Sequence, residues 1–171
     1  MNKLFKIVSV LIMASLLAAG LAFLPQSAVA AQTEKPANIN QALEKAYAKL
    51  NEWLAQQEAN LGKADTAAGK VQELITKASA NGRDVSDLEA ALSSFNSRIA
   101  AAKVDHQSAA AVLGSHAGFD GSGKVTDRAA ARQTLQDGRN SLDSAKDKLV
   151  AASEQLKDAL RKWRQAQQPK P

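Results

Sequence analysis

Three long stretches of this chain carry mainly apolar residues at steps that alternate between three and four positions. These stretches run from Leu43 to Ala78, from Val85 to His116 and from Arg128 to Ala166. Because an α-helix turns once every 3.6 residues, such steps place each set on one seam of a helix. Three seams must be buried against one another or against partners. The spacing therefore predicts an all-α fold, an elongated antiparallel three-helix bundle or coiled coil.

Breaks in the apolar spacing set the expected boundaries of the helices. We expect helices over about 39–80, 84–116 and 126–167, within a bundle that spans 38–168 and precedes a tail at 169–171. All three helices are longer than the average of globular proteins, and they share one periodicity. One elongated domain is therefore expected.

Side chains that bind free backbone N–H groups mark the expected helix starts. The expected N-caps are Asn38 for the first helix, Asp84 or Ser86 for the second, and Thr126 for the third. Gly82 is expected to end the first helix, since glycine readily adopts the left-handed conformation. So short a connection to the second helix predicts an antiparallel hairpin.

The first thirty residues have the form of an export signal. Two lysines precede an apolar run from Ile7 to Leu24, and Ala28-Val29-Ala30 has the small-x-small form that signal peptidase accepts. We expect a signal peptide over residues 1–30 that is cleaved after Ala30, then a flexible linker over 31–37. The protein is then secreted or periplasmic. An uncleaved signal anchor is the alternative, since the apolar run is nearly long enough to span a bilayer of about 30 Å.

Composition excludes several kinds of chemistry. The chain has no Cys, and its two Met residues, Met1 and Met13, lie in the expected leader. Disulfides, thiol catalysis, Met-ligated copper and c-type haem are therefore excluded from the mature chain. Cleavage removes two of the 22 Lys and Arg residues and none of the 17 Asp and Glu residues, which leaves a net charge of +3. So small an excess argues against a nucleic-acid partner.

The one local excess of positive charge lies at the end of the third helix. It consists of Lys157, Arg161, Lys162 and Arg164. Cations at this end complement the helix dipole, which is the interpretation we favour. A weak contact with anionic lipid or a cell-wall polymer is the alternative.

His106 is the most interesting single residue, because it occupies a seam position. Alignment of the first two seams across their short turn puts it close to Gln57 and Gly138. One interpretation is a ligand- or proton-binding site inside the bundle. We favour the other, a polar layer that fixes helix register, because no carboxylate is expected to join the layer from another seam. If the ring is buried and neutral, acid pH destabilises the fold by forcing it to charge.

His116 and the glycine-rich loop after it are weaker candidates for a site. His106 and His116 lack the i,i+3 or i,i+4 spacing of helical metal sites, even with Asp120 as a third ligand. The loop has part of an EF-hand pattern, but Gly118 and Ala129 stand where calcium-binding carboxylates are needed. Its glycine spacing also differs from that of a phosphate-binding loop. We expect no catalytic residue, no cofactor and no metal.

Two segments around this loop carry a resemblance to known sequences. Ser115-His116-Ala117-Gly118-Phe119-Asp120 and the segment from Val125 to Arg132 resemble a stretch found in small exported bacterial helical proteins. The resemblance extends over most of the mature chain. It implies secretion and helicity, and it implies no activity and no site residue.

The function expected from these features is that of an exported, non-catalytic bundle. It would be a structural or protein-interaction module in the cell envelope or outside it, with an unknown protein or envelope partner. The monomer is favoured, and self-association is the alternative, since a seam can also be buried against a second copy. A lipid- or membrane-surface-binding protein and a holdase-like envelope chaperone are the alternatives. The seams alternate large residues with Ala, which suits close helix packing better than the broad apolar face of lipid-binding helices.

Overall fold

The computed structural model describes residues 36–167, with side chains from residue 38 onward. It contains three helices, α1 from Pro36 to Ala80, α2 from Ser86 to Gly114 and α3 from Arg128 to Ala166. No β-strand occurs within 36–167. The described part of the chain is therefore all-α, and its helices form a bundle, as the seams predict. The expected signal peptide and the tail at 169–171 lie outside the described residues.

The start of α1 differs from the prediction. The helix begins at Pro36, so it includes the last two residues of the expected linker. Proline suits the first turn of a helix, because its missing N–H group would have no helical acceptor there. Asn38 therefore lies inside α1, and its prediction as the N-cap is wrong.

The end of α1 follows the prediction for Gly82. This residue has a φ of +68°, in the left-handed region. Its N–H donates to the Ser79 carbonyl at 2.8 Å, and the Arg83 N–H reaches back to the Ala78 carbonyl at 3.1 Å. These bonds satisfy carbonyl groups that the last turn of the helix leaves free.

Helices α2 and α3 start with different caps. Val85 precedes α2 without a side-chain cap, while an Asp84 carboxylate oxygen accepts the Ser86 N–H at 3.0 Å. Asp127 is the N-cap of α3, and it accepts the N–H groups of the second and third helical residues at 2.7 and 3.1 Å. The prediction of Thr126 is therefore wrong. A carboxylate also complements the positive end of the helix dipole, which a threonine hydroxyl does not.

The apolar core is divided into two clusters. The larger cluster includes the alanines of the middle of the bundle and extends to Trp163, whose Nε1 donates to the Asp84 carbonyl at 2.8 Å. The smaller cluster lies at the α2–α3 loop; its buried members are Tyr47, Leu50, Ala109, Leu113, Phe119, Ala131 and Leu142. Along α1 and α2, respectively, the buried polar residues Gln57 and His106 separate the two clusters.

Candidate functional site

Gln57 and His106 form a buried polar layer that joins the three helices. The Gln57 Nε2 atom donates to the Leu142 carbonyl of α3 at 2.9 Å. The Gln57 Oε1 atom lies 3.1 Å from His106 Nδ1. This is the contact between α1 and α2 that the alignment of seams predicts. A polar layer of this kind disfavours any shift in register, because a shift would leave both side chains buried without partners.

The outer nitrogen of His106 contacts a carboxylate that the sequence analysis did not expect. His106 Nε2 lies 2.7 Å from Glu58 Oε2. The His106 side chain is 10% exposed and that of Glu58 is 71% exposed, so the contact lies at the edge of the layer. The expectation that no carboxylate joins the layer from another seam does not cover this contact, because Glu58 is not a seam residue. The seam omits Glu58 because it directly follows Gln57 and belongs to the neighbouring face of α1.

Gly138 does not belong to this layer, although the alignment placed it there. A Cβ atom built on Gly138 would lie 2.9 Å from Leu113 Cδ2, and the three atoms nearest to it would all belong to Leu113. Gly138 thus allows α3 to approach α2 closely, one level nearer to the loop. The prediction of its place beside His106 is wrong, because the third seam had no short turn to fix its alignment.

A second polar group lies at the loop end of the bundle. The Tyr47 hydroxyl donates to the Leu113 carbonyl at 2.7 Å and lies 2.8 Å from His116 Nδ1. Since that hydroxyl proton is already donated, the bond to His116 requires Nδ1 to carry the proton. The Tyr47 ring also stacks on Phe119, with ring centroids 4.2 Å apart. Tyr47 therefore anchors both His116 and the loop.

His116 is not a seam residue, contrary to the sequence analysis. Helix α2 ends at Gly114, and His116 lies in the following turn with an exposed side chain. Its φ is +54°, a left-handed conformation that is uncommon for residues other than glycine. The hydrogen bond to Tyr47 compensates part of the strain of this conformation.

The loop donates several hydrogen bonds to the carboxylate of its own Asp120. One Asp120 carboxylate oxygen accepts the N–H groups of Ser122 and Lys124 at 2.8 and 2.9 Å, together with the Ser122 hydroxyl at 2.8 Å. The pKa of Asp120 is lowered, first by the hydrogen bond from the Lys124 N–H and then by those from Ser122. One oxygen of Asp120, the carboxylate that the loop does contribute to the partial EF-hand pattern, is thus already used to accept hydrogen bonds within the loop.

An open cleft of about 540 Å³ lies between α1 and this loop. Its lining includes Tyr47, His116 and an ion pair in which Lys124 Nζ lies 2.9 Å from Glu44 Oε2. The other Glu44 oxygen accepts the Val125 N–H at 3.2 Å. The pKa of Glu44 is lowered, chiefly by the hydrogen bond from Lys124 and then by that from Val125. The cleft is open to solvent, and its Glu44 carboxylate and Lys124 ammonium are paired with each other.

The remaining candidates from the sequence do not assemble into a site. Within residues 36–167, no group of three or more His, Asp or Glu side chains is placed to hold a metal ion. In the basic segment at the end of α3, Arg161 pairs with Asp158 of its own helix at 3.1 Å. No helix in the described part of the chain is long and apolar enough to cross a membrane.

Comparison of the chain with known protein families, characterised proteins and solved structures finds no match.

Proposed function

We propose that this chain is an exported, non-catalytic structural or protein-interaction module, built as an elongated antiparallel bundle. The observation that carries this proposal is the burial of the apolar seam residues between the three helices. Among the described residues, Val104 is the one large hydrophobic residue that is exposed, at 60%. A single exposed valine is ordinary for a soluble surface and offers neither a lipid nor an unfolded chain a continuous apolar face.

Contacts between α1 and α2 support an antiparallel arrangement. Tyr47 bonds to Leu113, Gln57 lies 3.1 Å from His106, and Asp65 pairs with Lys103 at 2.8 Å. Residue numbers thus rise along α1 as they fall along α2.

Contacts of α3 extend the same argument. Asp105 on α2 accepts the Ser144 hydroxyl of α3 at 2.7 Å, and Ser94 on α2 donates to Gln155 of α3 at 3.2 Å. The residue numbers again change in opposite directions along the two helices. At 1.5 Å per residue, α1, α2 and α3 are about 68, 44 and 58 Å long, which supports an elongated form.

A partner would meet a polar surface. The mixed charges of the cleft beside Tyr47 and His116 favour a polar or charged surface of a protein or an envelope polymer over an apolar one. Affinity for such a surface depends on salt, because exposed charges are screened over about 10 Å at 0.1 M ionic strength.

Light scattering tests the proposal against its alternatives. We would measure the mass of the purified protein by size-exclusion chromatography with multi-angle light scattering, with and without vesicles of anionic lipid. The expected result is a monomer of unchanged mass that elutes apart from the vesicles. Sedimentation velocity should give a frictional ratio above that of a compact sphere. Comigration with vesicles would overturn the proposal in favour of lipid binding, and suppression of the aggregation of an unfolded client protein would favour a holdase.

Export is tested separately. A cell that produces the full chain should release a shortened form, and N-terminal sequencing of that form should begin at Ala31. Retention of the intact chain in the membrane fraction would favour the uncleaved signal anchor.

A further inference from the structure

The hydrogen bonds of Gln57 determine whether the inner ring nitrogen of His106, Nδ1, carries a proton. The Gln57 amide donates its N–H to the Leu142 carbonyl, so the amide nitrogen is turned towards α3. The Gln57 oxygen is then the atom that faces His106 Nδ1, and an amide oxygen only accepts hydrogen bonds. His106 Nδ1 must therefore carry a proton.

The outer ring nitrogen of His106, Nε2, must then carry a second proton. A neutral imidazole with its proton on Nδ1 presents a lone pair at Nε2. This lone pair and a carboxylate oxygen would repel each other at the 2.7 Å that separates Nε2 from Glu58 Oε2. A proton between them turns the contact into a charge-assisted hydrogen bond. Because Glu58 is 71% exposed and an imidazole nitrogen is a stronger base than a carboxylate, we assign this proton to the imidazole.

We propose that His106 is a proton-binding site, in which the charged imidazole joins Gln57 and Glu58 of α1 to α2. Loss of one proton removes the bond to Glu58, whose exposed side chain then turns into solvent. The bond between Gln57 and Nδ1 is kept in both states. The site thus tightens the contact between α1 and α2 in mildly acid surroundings and loosens it in alkaline ones. This inference does not depend on the proposed function.

The other charged groups near the layer have partners of their own. On α2, Asp105 contacts Lys148 and Ser144. Burial raises the pKa of Asp105, but its hydrogen bonds from Lys148 and Ser144 outweigh burial and lower it.

The charged neighbours on the facing helices are likewise paired. On α3, Arg139 and Asp143 lie 3.5 Å apart, and Lys146, one turn beyond Leu142, is exposed. On α1, the next carboxylate beyond Glu58 is Asp65, which pairs with Lys103. Glu58 is therefore the carboxylate that responds to the charge of the His106 ring.

The sign of the pH effect follows from linkage. In the unfolded chain the ring has no fixed carboxylate partner, so only the folded protein gives the charged ring its contact with Glu58. The contact with Glu58 therefore stabilises the fold in acid, where the ring is charged, and is lost in alkali, where the ring is neutral. This is opposite to the effect expected of a buried neutral ring.

Thermal unfolding at pH 5.5 and pH 8.0 tests the proposal. We expect the midpoint of the unmodified protein to be higher at pH 5.5 by about 2–4 °C. In Glu58→Gln this difference should largely disappear, because an amide can donate to the lone pair of the neutral ring. Glu52→Gln is the matched control, since it removes the same charge from an exposed position of the same helix, and it should keep the difference. If Glu58→Gln kept the full difference between its unfolding midpoints at pH 5.5 and pH 8.0, the proposal would be overturned.

A second measurement does not depend on stability. Nitrogen-proton spectra of the histidine rings report directly which ring nitrogens carry protons. The His106 ring of the unmodified protein should show protons on both nitrogens at a pH at which Glu58→Gln shows a proton on Nδ1 alone. A single proton on Nε2 in the unmodified protein would contradict both steps of the argument. The exposed ring of His116 provides an internal reference in the same spectrum.

Discussion

The two histidines of this chain are held in the same way at one ring nitrogen and differ at the other. In both rings, Nδ1 meets an oxygen of an α1 side chain, that of Gln57 for His106 and that of Tyr47 for His116. The Nε2 atom of His106 lies against a carboxylate at the edge of the core, whereas the His116 ring lies on the exposed loop. Charge on the first ring is therefore coupled to helix packing, and charge on the second is exposed to solvent.

The polar layer around His106 and the loop end around His116 also differ in their backbone structure. His106 lies in regular helix, and its layer is held by side-chain hydrogen bonds alone. The loop end is held by close backbone approaches. The Gly118 carbonyl accepts the N–H groups of Thr126 and Asp127 at 2.9 and 3.2 Å. The loop end should therefore be the more sensitive to backbone changes, and the polar layer the more sensitive to changes in hydrogen bonding.

Gly118→Ala should have the largest effect on the loop end. The new Cβ would lie 2.1 Å from the Ala131 backbone nitrogen and 2.6 Å from the Asp127 carbonyl oxygen, at a φ of +83°. Backbone atoms cannot move aside as a flexible side chain can. We expect a loss of about 3 kcal/mol or more in the free energy of unfolding, measured by urea denaturation.

Gly121→Ala is the matched control for this substitution. Gly121 belongs to the same loop, a Cβ there would meet no atom within 4 Å, and its φ is not positive. The control should change stability by no more than about 0.5 kcal/mol. Equal losses in the two variants would mean that the loop is not held by close contact with α3.

Residues of this loop also show what the sequence could and could not predict. The helices were predictable, because long seams with one period leave few alternatives and packing reinforces them. The conformation at Gly118 was not, because its close approach to α3 depends on tertiary contacts and leaves no periodic signal. The seam also extended to His116, two residues beyond the true end of α2 at Gly114, since apolar spacing alone does not detect a turn.

Gln57→Leu should have the next largest effect, in the polar layer. Leucine removes the acceptor of the His106 Nδ1 proton and leaves that group buried without a partner. Such a loss costs about 1–3 kcal/mol in the free energy of unfolding. The double variant with His106→Leu should recover most of this stability, because two apolar side chains leave no unpaired polar group.

Gln56→Leu is the control for the polar layer, because Gln56 is the exposed neighbour of Gln57. Denaturation should show a change within about 0.5 kcal/mol for this variant. If the double variant were less stable than Gln57→Leu alone, the layer would contribute stability as well as register.

Prediction of the polar layer was partly successful for a physical reason. Gln57 and His106 interrupt apolar seams, so their pairing could be predicted from a short turn that fixes the alignment of α1 and α2. Glu58 could not be identified in this way, because exposed acidic residues are common on helices and nothing in the spacing distinguishes this one. Its role depends on the position of a ring on another helix.

Tyr47→Phe should have a smaller effect than the changes in the polar layer. The variant keeps the stacking on Phe119 and loses the hydrogen bonds with the Leu113 carbonyl and His116 Nδ1. Because His116 is exposed, water can replace one of these bonds. We expect a loss of about 1 kcal/mol in the free energy of unfolding. Ring spectra of His116 should show the preference for a proton on Nδ1 weakened, and an unchanged preference would contradict the assignment.

Glu44→Gln should have the smallest effect, and that effect should depend on pH. The pKa of Glu44 is lower in the folded protein, chiefly because of the hydrogen bond from Lys124. A carboxyl group of this kind contributes stability above its unfolded pKa of about 4.3, and the contribution is lost as the pH falls through the folded value. Thermal midpoints should therefore differ slightly from those of the unmodified protein at pH 6 and converge at pH 3. A difference that persists at pH 3 would mean that Glu44 acts through packing, whereas Glu52→Gln should show no such pH dependence.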